Sequence, residues 1–537
     1  MIIDARALSS NETLSCDVCI VGAGAAGITI ALSFVETGLT VCLLEGGGYD
    51  RDPISQSLYA GEAAGQPYEN LDTVRSRYFG GSTNCWGGVC RPLDDIDFEH
   101  RPWIANSGWP IRRSDIEPFL KESHDLLRLE NIEYDIERWH HKIGLAGGPF
   151  PLADGDALRT EVGLLSPPAR FGQLYRAQLD RAPNVRVLLN ANVTEICTND
   201  DASRVVSARV ETLTGVKIAV MARATVLAVG GIENARLLLL SNRHQSVGLG
   251  NGYDLVGRYF MDHLRFTTAP VKLKAAALRP FYDNTHYLIM RRASRTIPRF
   301  VAHLTPSQPY QRLHLMPNSR TYVTASYFQK LADGYNAWKR MVGAISERRR
   351  LGVSLTRALA DVMAQGPPAV AMLPSVAGCA LDFARGWSNP RQSFRLETVM
   401  EPVPNPDSRV SLAQTRDRFG RPNALLDWRI NDADRRNFAR TMSVLHRNAG
   451  DVLTFWGSEE PQWPDKVKWC WHHMGTTRMS VDPKTGVVDA NGRVHGVANL
   501  FVAGSSVFPT AGGDCPTINI VALALRLSKY LVSAGPF

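Results

Sequence analysis

CDVCIVGAGAAGITIALSFVETGLTVCLLE, residues 16–45 of the chain, has the pattern of one complete βαβ unit. Apolar residues at positions 18, 20 and 21 predict a short buried strand. An apolar run over residues 28–35 predicts a helix that Gly38 ends, and residues 40–44 predict a second strand. This order of elements indicates an α/β domain.

Three glycines, Gly22, Gly24 and Gly27, follow the first strand with G-x-G-x-x-G spacing. Such glycines allow a tight turn, a close approach of the backbone to a pyrophosphate, and close packing of the next helix. The helix N-terminus offers N–H groups and a positive dipole to phosphates. Glu45 ends the second strand, where a carboxylate accepts hydrogen bonds from ribose hydroxyls. The segment predicts a dinucleotide site; the alternative is a glycine-tightened turn that binds nothing.

The composition is that of an ordinary globular protein. The 537 residues are 44% hydrophobic and 21% charged, which suffices for two or three domains or one large discontinuous domain. The net charge of +8 suits an anionic substrate or membrane surface, although a solvated basic surface is the simpler explanation. No dense stripe of basic residues with interleaved aromatics is present, so we expect no nucleic-acid partner.

Cysteine usage and the N-terminus bear on the compartment. The nine cysteines are an odd number, and Cys19 and Cys42 lie in predicted strands, which favours reduced thiols and a cytoplasmic location. The first 15 residues lack a basic region followed by an apolar one, so we expect no secretory signal. No uncharged apolar window is long enough for a membrane span.

Two further glycine-containing segments point to the same cofactor site. Residues 78–91, YFGGSTNCWGGVCR, predict a loop pressed against something flat or narrow, with a turn anchored by Trp86 in the core as the alternative. Residues 224–229 predict a buried strand that ends at Gly230 and Gly231 before a helix over 232–240. This second strand-glycine-helix junction predicts that the nucleotide domain resumes there.

Other elements follow from periodicity alone. Helices are predicted over residues 114–129, 166–180, 335–365, 432–453 and 518–531, and strands over 185–189, 205–212, 216–221, 410–412 and 425–428. The apolar run at 366–383 contains three prolines and predicts a lid or buried insertion, with interfacial membrane contact as a lesser alternative.

The C-terminal region carries the chemistry. Residues 468–479 are KWCWHHMGTTRM and residues 508–517 are FPTAGGDCPT, immediately before the last helix. Pro516 suits the first helical position, so Cys515 lies beside the N-cap. Two histidines opposite a helix N-terminus fit alcohol oxidation by a flavin: a base takes the hydroxyl proton, hydride leaves carbon, and the positive helix end stabilises the reduced ring.

Together these motifs resemble the glucose-methanol-choline (GMC) flavin oxidoreductases, and the resemblance covers nearly the whole chain. It rests on GAGAAG with Glu45, FGGSTNCWGG, AVGGIENARLLLLS, LVGRYFMDH, PNPDSRVSL, HHMGTTRM and VHGVANLFVAGSSVFPT. The spacing is closest to the branch of pyranose-oxidase-like enzymes and bacterial sugar dehydrogenases. The resemblance implies FAD, oxidation of an alcohol to a carbonyl, and a Rossmann-like domain with a discontinuous substrate domain on an antiparallel sheet.

The resemblance also assigns residues. His472 matches the base in H-x-x-G-T, and His473 beside it either holds substrate or packs. Gly22, Gly24 and Glu45 match the pyrophosphate and ribose contacts, as Gly27 does. The remaining positions implied to contact the cofactor are Gly81, Ser82, Asn84, Cys85, Trp86, Val193, Gly230, Gly504, Ser505, Pro516 and Thr517.

Three positions depart from the family pattern. Cys515 stands where relatives place asparagine or histidine; a thiol is a poor hydrogen-bond donor, and the helix dipole is expected to lower its pKa, which would make it a nucleophile or redox thiol. Cys85 stands where some members carry a flavin-linked histidine, so we expect FAD to be bound non-covalently. Gly504 replaces an aspartate near the ribityl chain, and Asn519 lies too deep to substitute for the missing group.

The resulting prediction has three parts. Residues 1–263, with insertions over about 50–165, form the first part of the FAD domain; residues 264–464 form the substrate domain; residues 465–537 complete the FAD domain with His472, His473 and Cys515 as catalytic residues. The enzyme is expected to oxidise a sugar, glycoside or polyol and to pass electrons to oxygen or an external acceptor. A lyase on the same scaffold and a non-catalytic, redox-responsive flavoprotein remain alternatives.

Overall fold

The computed structural model describes residues 1–129, 133–143, 156–167, 169–267, 271–274, 300–325, 394–450, 453–455 and 467–533. The strands in chain order are β1 (Ile2–Asp4), β2 (Thr13–Val21), β3 (Val41–Leu44), β4 (Gly61–Gly65), β5 (Val89–Cys90), β6 (Leu158–Leu165), β7 (Val185–Leu189), β8 (Asn192–Thr198), β9 (Val205–Glu211), β10 (Lys217–Leu227), β11 (Leu264–Thr267), β12 (Val271–Leu273), β13 (Phe300–Pro306), β14 (Ser319–Ala325), β15 (Phe394–Met400), β16 (Arg409–Arg416), β17 (Pro422–Trp428), β18 (Leu453–Phe455), β19 (Lys468–Trp469) and β20 (Leu500–Val502).

Helices connect these strands, and most of them are short. The α-helices are α1 (Ala25–Ser33), α2 (Pro53–Gln56), α3 (Asp95–Phe98), α4 (Leu120–Leu126), α5 (Ile136–Ile143), α6 (Phe171–Leu174), α7 (Arg176–Arg181), α8 (Glu233–Leu240), α9 (Gln308–His314), α10 (Asp432–Ala449) and α11 (Thr517–Ser533). Turns of 3₁₀ helix lie at Ala5–Ala7, Ser57–Tyr59, Gly81–Asn84, Arg113–Asp115, Glu117–Phe119 and Ser505–Val507.

The first sheet forms the predicted nucleotide-binding core. Its order is β1-β7-β3-β2-β10-β9-β8, and β20 pairs with β10. The pairs from β1 through β10 and on to β20 are parallel, whereas β9 and β8 are antiparallel. The carboxyl ends of β2, β3, β10 and β20 therefore lie at one edge, where open α/β sheets bind ligands.

The turn after β2 explains how the predicted βαβ unit closes. Gly22 has φ +102°, a region that favours glycine. A Cβ on Gly27 would lie 1.8 Å from the carbonyl oxygen of Gly22, so only glycine lets α1 approach the strand so closely. Buried Ile28 and Ile30 then anchor α1 in the core, and α11 packs against it. The first and last parts of the chain thus share one core.

Two other sheets lie beyond this core. The second has the order β18-β12-β15-β14-β13-β6-β5, with β11 paired to β15 and β19; these strands all pair antiparallel. It includes β5, β6 and β19, which come from outside residues 264–464. The third is β16-β17-β4. The antiparallel second sheet fits the expected substrate side, while the three-part domain division stays a prediction.

Several element boundaries differ from the periodicity. The predicted helix over 166–180 is instead α6 and α7, because Pro167 and Pro168 disfavour helix at its start. The region 114–129 begins with 3₁₀ turns around Pro118, and only α4 is α-helical. The second arm of the predicted hairpin and the strand at 224–229 form one continuous strand, β10. The helix over 335–365 and the apolar run at 366–383 lie outside the described residues.

Within the described ranges, no helix is both long and apolar enough to cross a membrane.

Candidate active site

Gly24, Gly230 and Gly504 lie at the carboxyl edge of the first sheet and border an open space, which we call the glycine cradle. Gly230 after β10 and Gly504 after β20 have φ of +88° and +106°, and a Cβ on either would meet no described atom within 4 Å. Gly24 differs because its φ is negative and a Cβ there would also meet nothing within 4 Å. The protein itself therefore gives no reason for glycine at position 24. A pyrophosphate that approaches the backbone at this position would explain the glycine, because it needs the space that a side chain would fill. These residues therefore fit FAD.

Glu45 lies where a ribose-binding carboxylate is expected. Its Oε2 accepts from the Ala23 N–H at 3.0 Å and its Oε1 from the Gly47 N–H at 2.9 Å. Burial raises the pKa of this carboxyl. Each carboxylate oxygen keeps a second lone pair for a ribose hydroxyl. Val193, half-buried at the start of β8, lies near, because the N–H of Ala191 donates to the Glu45 carbonyl at 2.8 Å.

The loop at 78–86 closes over the glycine turn. The Gly80 N–H donates to the Ala23 carbonyl at 2.9 Å, and a Cβ on Gly81 would lie 2.9 Å from the Cα of Gly24. Exposed Ser82 and Cys85 and half-buried Asn84 lie in the same turn, with Asn84 Nδ2 donating to the Phe79 carbonyl at 3.0 Å. The Trp86 indole donates to the Ala169 carbonyl at 3.1 Å, which fits the anchoring alternative. Non-covalent binding of FAD stays a prediction.

A buried carboxylate holds the histidine segment in place. Asp262 accepts from the backbone N–H groups of Cys470, Trp471 and His472 at 3.2, 3.0 and 2.9 Å, and from the Tyr68 hydroxyl at 2.6 Å. Three successive N–H groups converge on one anion as in a backbone nest. Trp471 takes the left-handed φ of +59° that this requires, and its indole is exposed.

The histidine segment then runs along the carboxyl edge of the first sheet. Met474 pairs with Met261 through reciprocal 3.0 Å backbone hydrogen bonds. The Ser505 hydroxyl donates to the His473 carbonyl at 2.7 Å, and a Cβ on Gly231 would lie 2.3 Å from that same oxygen. The two histidines therefore lie between the loops that follow β10 and β20.

His472 is the partly exposed histidine of the pair. Its Nδ1 lies 3.0 Å from Nδ1 of buried His263 and 3.8 Å from Oδ1 of Asp514. About a quarter of its side chain, 27%, is exposed, and its Nε2 has no hydrogen-bond partner among the described residues. Burial and the facing His263 lower the pKa of His472 to about 3, so the ring is neutral at pH 7. A neutral imidazole with a free nitrogen is equipped to accept a proton.

His473 has a different environment. Its Nε2 lies 3.0 Å from the Tyr68 hydroxyl, and because that hydroxyl donates to Asp262, its oxygen accepts from His473. The ring is buried against Phe260. Burial lowers the pKa of His473 to about 3. These contacts fit the packing alternative, and a catalytic role for His473 stays a prediction.

The start of α11 corrects one expectation. The helix begins at Thr517, and the carbonyl of Pro516 accepts its first hydrogen bond from the Ile520 N–H at 2.9 Å, so Pro516 precedes the helix. Cys515 is buried with φ +59°. Burial and neighbouring Asp514 raise the pKa of the Cys515 thiol well above its usual value. The prediction of a lowered pKa was therefore wrong, because desolvation and a like charge outweigh the helix dipole, while a catalytic role for Cys515 stays a prediction.

Asp514 was not predicted as a site residue, although it lies in the quoted FPTAGGDCPT motif. Its Oδ2 accepts from the Tyr322 hydroxyl at 2.6 Å and its Oδ1 from the Cys515 N–H at 2.7 Å. Arg320, fully buried, donates to the Asp514 carbonyl at 3.4 Å. Burial alone would raise the pKa of the Asp514 carboxyl, but the facing histidines and Arg320 outweigh burial and hold the pKa below its ordinary value.

Comparison with known proteins supports this arrangement. Residues 404–524 match the family model described as GMC oxidoreductase. The 6'''-hydroxyparomomycin C oxidase of Streptomyces lividus is 25% identical over 96% of this chain and 91% of its own. The paromamine 6'-oxidase of Streptomyces fradiae is 37% identical over 25% of each chain. A solved structure of an Aspergillus oryzae formate oxidase variant shares the fold, with TM-score 0.55, 16% identity, and coverage of 98% of this chain and 99% of that chain.

The family match, the relatives along nearly the full length and the glycine cradle agree with one another. They confirm the predicted α/β FAD-binding fold and the predicted cofactor. The C-terminal part of the chain, residues 404–524, is a GMC oxidoreductase domain, and relatives that match nearly the full length are named as an oxidase and as dehydrogenases.

Proposed function

We propose that this enzyme oxidises an alcohol carbon of a sugar, glycoside or related polyol to a carbonyl, with His472 as the general base. The observation that carries the role of His472 is its Nε2: the ring is neutral, partly exposed and bonded only through Nδ1 among the described residues. A base of this kind takes the hydroxyl proton as hydride leaves the carbon. FAD, when bound, supplies the hydride acceptor.

The substrate class draws on the relatives. Two of them are named as oxidases of a hydroxyparomomycin and of paromamine, and both are similar to this chain in sequence. We therefore place sugar-containing alcohols, including aminoglycosides, first among candidate substrates. The exposed indole of Trp471 beside His472 offers an apolar surface for a sugar ring.

The test is anaerobic mixing of the oxidised holoenzyme with sugars, aminoglycosides, polyols and simple alcohols, followed by absorbance near 450 nm. A substrate bleaches the flavin. His472→Ala should keep FAD bound but slow flavin reduction by about 1,000-fold, within the usual range for a general base. His244→Ala, at an exposed histidine in the loop after α8, is the matched control. Rapid bleaching by His472→Ala would show that another group is the base.

The acceptor and compartment are further parts of the proposal. Electrons pass from reduced FAD to oxygen or an external acceptor, and comparing reoxidation in air with reoxidation by a quinone distinguishes the two. The eight cysteines in the described residues are free of disulfides, which supports a reducing, cytoplasmic compartment. Fractionation of the native host would test that location.

A further inference from the structure

We propose that His263 and Asp514 are positioning residues for the base. His263 fixes the His472 ring with Nε2 free for the substrate proton, and Asp514 stabilises the imidazolium that then forms. The inference rests on the proposed role of His472. It answers a question raised by Cys515, which stands where the sequence resemblance implies a polar side chain.

The orientation of the His472 ring follows from a chain of hydrogen bonds. His263 Nε2 lies 2.9 Å from the carbonyl oxygen of Gly512, and a carbonyl only accepts, so Nε2 carries the proton. In a neutral imidazole, Nδ1 of His263 then has a lone pair. That lone pair accepts from Nδ1–H of His472 at 3.0 Å. The proton on His472 is thus held at Nδ1, and Nε2 is left as the accepting atom.

His263 is well placed for this task because it is immobilised. It is fully buried and lies beside Asp262, which anchors residues 470–472 through their N–H groups. The carbonyl of Gly512 comes from the loop before α11. Three segments far apart in sequence therefore converge on the ring of His472. A ring held in this way loses little freedom when it accepts a proton.

Asp514 supplies charge rather than a hydrogen bond to the base. Its Oδ1 lies 3.8 Å from Nδ1 of His472, which is too long for a hydrogen bond but close for two charges at a buried site. When Nε2 takes the substrate proton, the ring becomes cationic next to this carboxylate. The proton moves from the hydroxyl oxygen to Nε2, and no further reactant is needed for that transfer.

Other groups also bear on this pair. Among the described residues, the titratable or charged groups that face His472 or Asp514 are His263, Arg265, Arg320, Tyr322, Cys470, His473 and Cys515. Arg265 is paired with Glu397 at 2.7 Å, whereas among the described residues the closest carboxylate to Arg320 is Asp94 at 3.9 Å. Two nitrogens of Arg320, Nε and Nη2, have no hydrogen-bond partner in the described part of the chain. The positive charge of Arg320 therefore keeps Asp514 ionised and also weakens the electrostatic attraction between Asp514 and the protonated ring of His472.

The first measurement reads the tautomer without any turnover. Holoenzyme labelled with ¹⁵N-histidine gives imidazole nitrogen shifts, and the His472→Gln spectrum assigns the signals of His472. We expect the wild type to carry the proton at Nδ1. His263→Leu should mix the two tautomers, and His263→Gln, whose amide oxygen accepts a hydrogen bond, should restore the Nδ1–H form. Protonation of His472 at Nε2 in the wild type, or no change in His263→Leu, would overturn the role of His263.

The second measurement tests Asp514 by pH-jump stopped-flow reduction of the flavin. Asp514→Asn removes the charge and makes His472 a weaker base. The acid limb of the rate profile should move to lower pH, the plateau should fall about 10- to 100-fold, and the solvent deuterium isotope effect should grow. A merely structural role would lower the rate without moving the limb or the isotope effect. An unchanged plateau and isotope effect would overturn the proposal for Asp514.

Tyr322→Phe gives a test of opposite sign that does not require Asp514→Asn to fold. Loss of the 2.6 Å hydrogen bond leaves the Asp514 charge less neutralised, so the acid limb should move to higher pH. A limb that moves down or stays would count against the proposal. Asp94→Asn changes another buried carboxylate that faces Arg320 and is the control for the His472 spectrum. If the tautomer is as expected but no alcohol bleaches the flavin, the proposed function fails while the assignment for His263 stands.

Discussion

The two ends of the candidate site differ in how far apart in sequence their residues lie. At the nucleotide end, Gly22, Gly24, Gly27 and Glu45 lie within 24 residues, and each acts through local geometry. At the catalytic end, the ring of His472 depends on residues 209 positions away. A short motif therefore encodes the binding of a phosphate, whereas the proton-accepting atom is set by contacts between distant segments.

The largest expected effect on stability is at the nucleotide end. Gly27→Ala should lower the free energy of unfolding by about 3 kcal/mol, because the added Cβ would lie 1.8 Å from the Gly22 carbonyl oxygen and the whole turn must shift. Urea denaturation of the apoprotein followed by tryptophan fluorescence measures this. A Gly27→Ala protein as stable as the wild type would show that α1 can move away from β2 at no cost.

Gly24→Ala is the matched control for Gly27→Ala. A Cβ at position 24 meets no described atom within 4 Å, so the stability of the apoprotein should stay unchanged. FAD affinity should nevertheless fall about tenfold, because the methyl group occupies space that the pyrophosphate needs. Titration of the apoprotein with FAD measures this affinity. Unchanged affinity would remove the cofactor explanation for glycine at this position.

The next effect is at the catalytic end. Asp262→Asn should leave FAD bound but slow flavin reduction about 100-fold, because the amide cannot accept from all four donors and His472 shifts from its productive position. Asp417→Asn is the control: this half-buried aspartate accepts from the N–H groups of Phe419 and Arg421 in the β16–β17 turn. If both variants reduced flavin at the wild-type rate, Asp262 would not position the base.

This contrast explains what could be predicted from the sequence. Glycine spacing, apolar runs and the order of strands and helices are local properties, so the βαβ unit, the second junction at Gly230 and the helix before the C-terminus were predicted correctly. The H-x-x-G-T pattern also identified His472 as the candidate base. Where local signals competed, as with Pro167 and Pro168 at the start of a helical pattern, the boundaries were wrong.

The partners of His472 could not be predicted in the same way. Asp262 and His263 lie in the quoted LVGRYFMDH motif, but it is the antiparallel pairing of Met261 with Met474 and of β11 with β19 that brings them to the histidines. The expectation for Cys515 failed for a related reason. The helix dipole is visible in the sequence, whereas burial and the charge of Asp514 are properties of the folded site. The sequence did offer one signal for Asp514, because it is a titratable residue directly before Cys515 in the quoted motif.

The smallest expected effect is at Cys515. It tests whether Asp514 and His263 already support the base or whether the missing amide at position 515 limits the reaction. Cys515→Asn introduces the amide that the sequence resemblance implies here and suits φ +59° better than cysteine, so the free energy of unfolding should rise by about 0.5 kcal/mol. If Asp514 and His263 already support the base, the rate of flavin reduction should change less than about tenfold, which corresponds to about 1.4 kcal/mol of activation free energy. Cys515→Ala, which lacks both the amide and the tolerance for this φ, is the control. A rate gain above about 100-fold in Cys515→Asn would mean that the absent amide limits the wild-type enzyme, because only a donor to the substrate oxygen would supply that much.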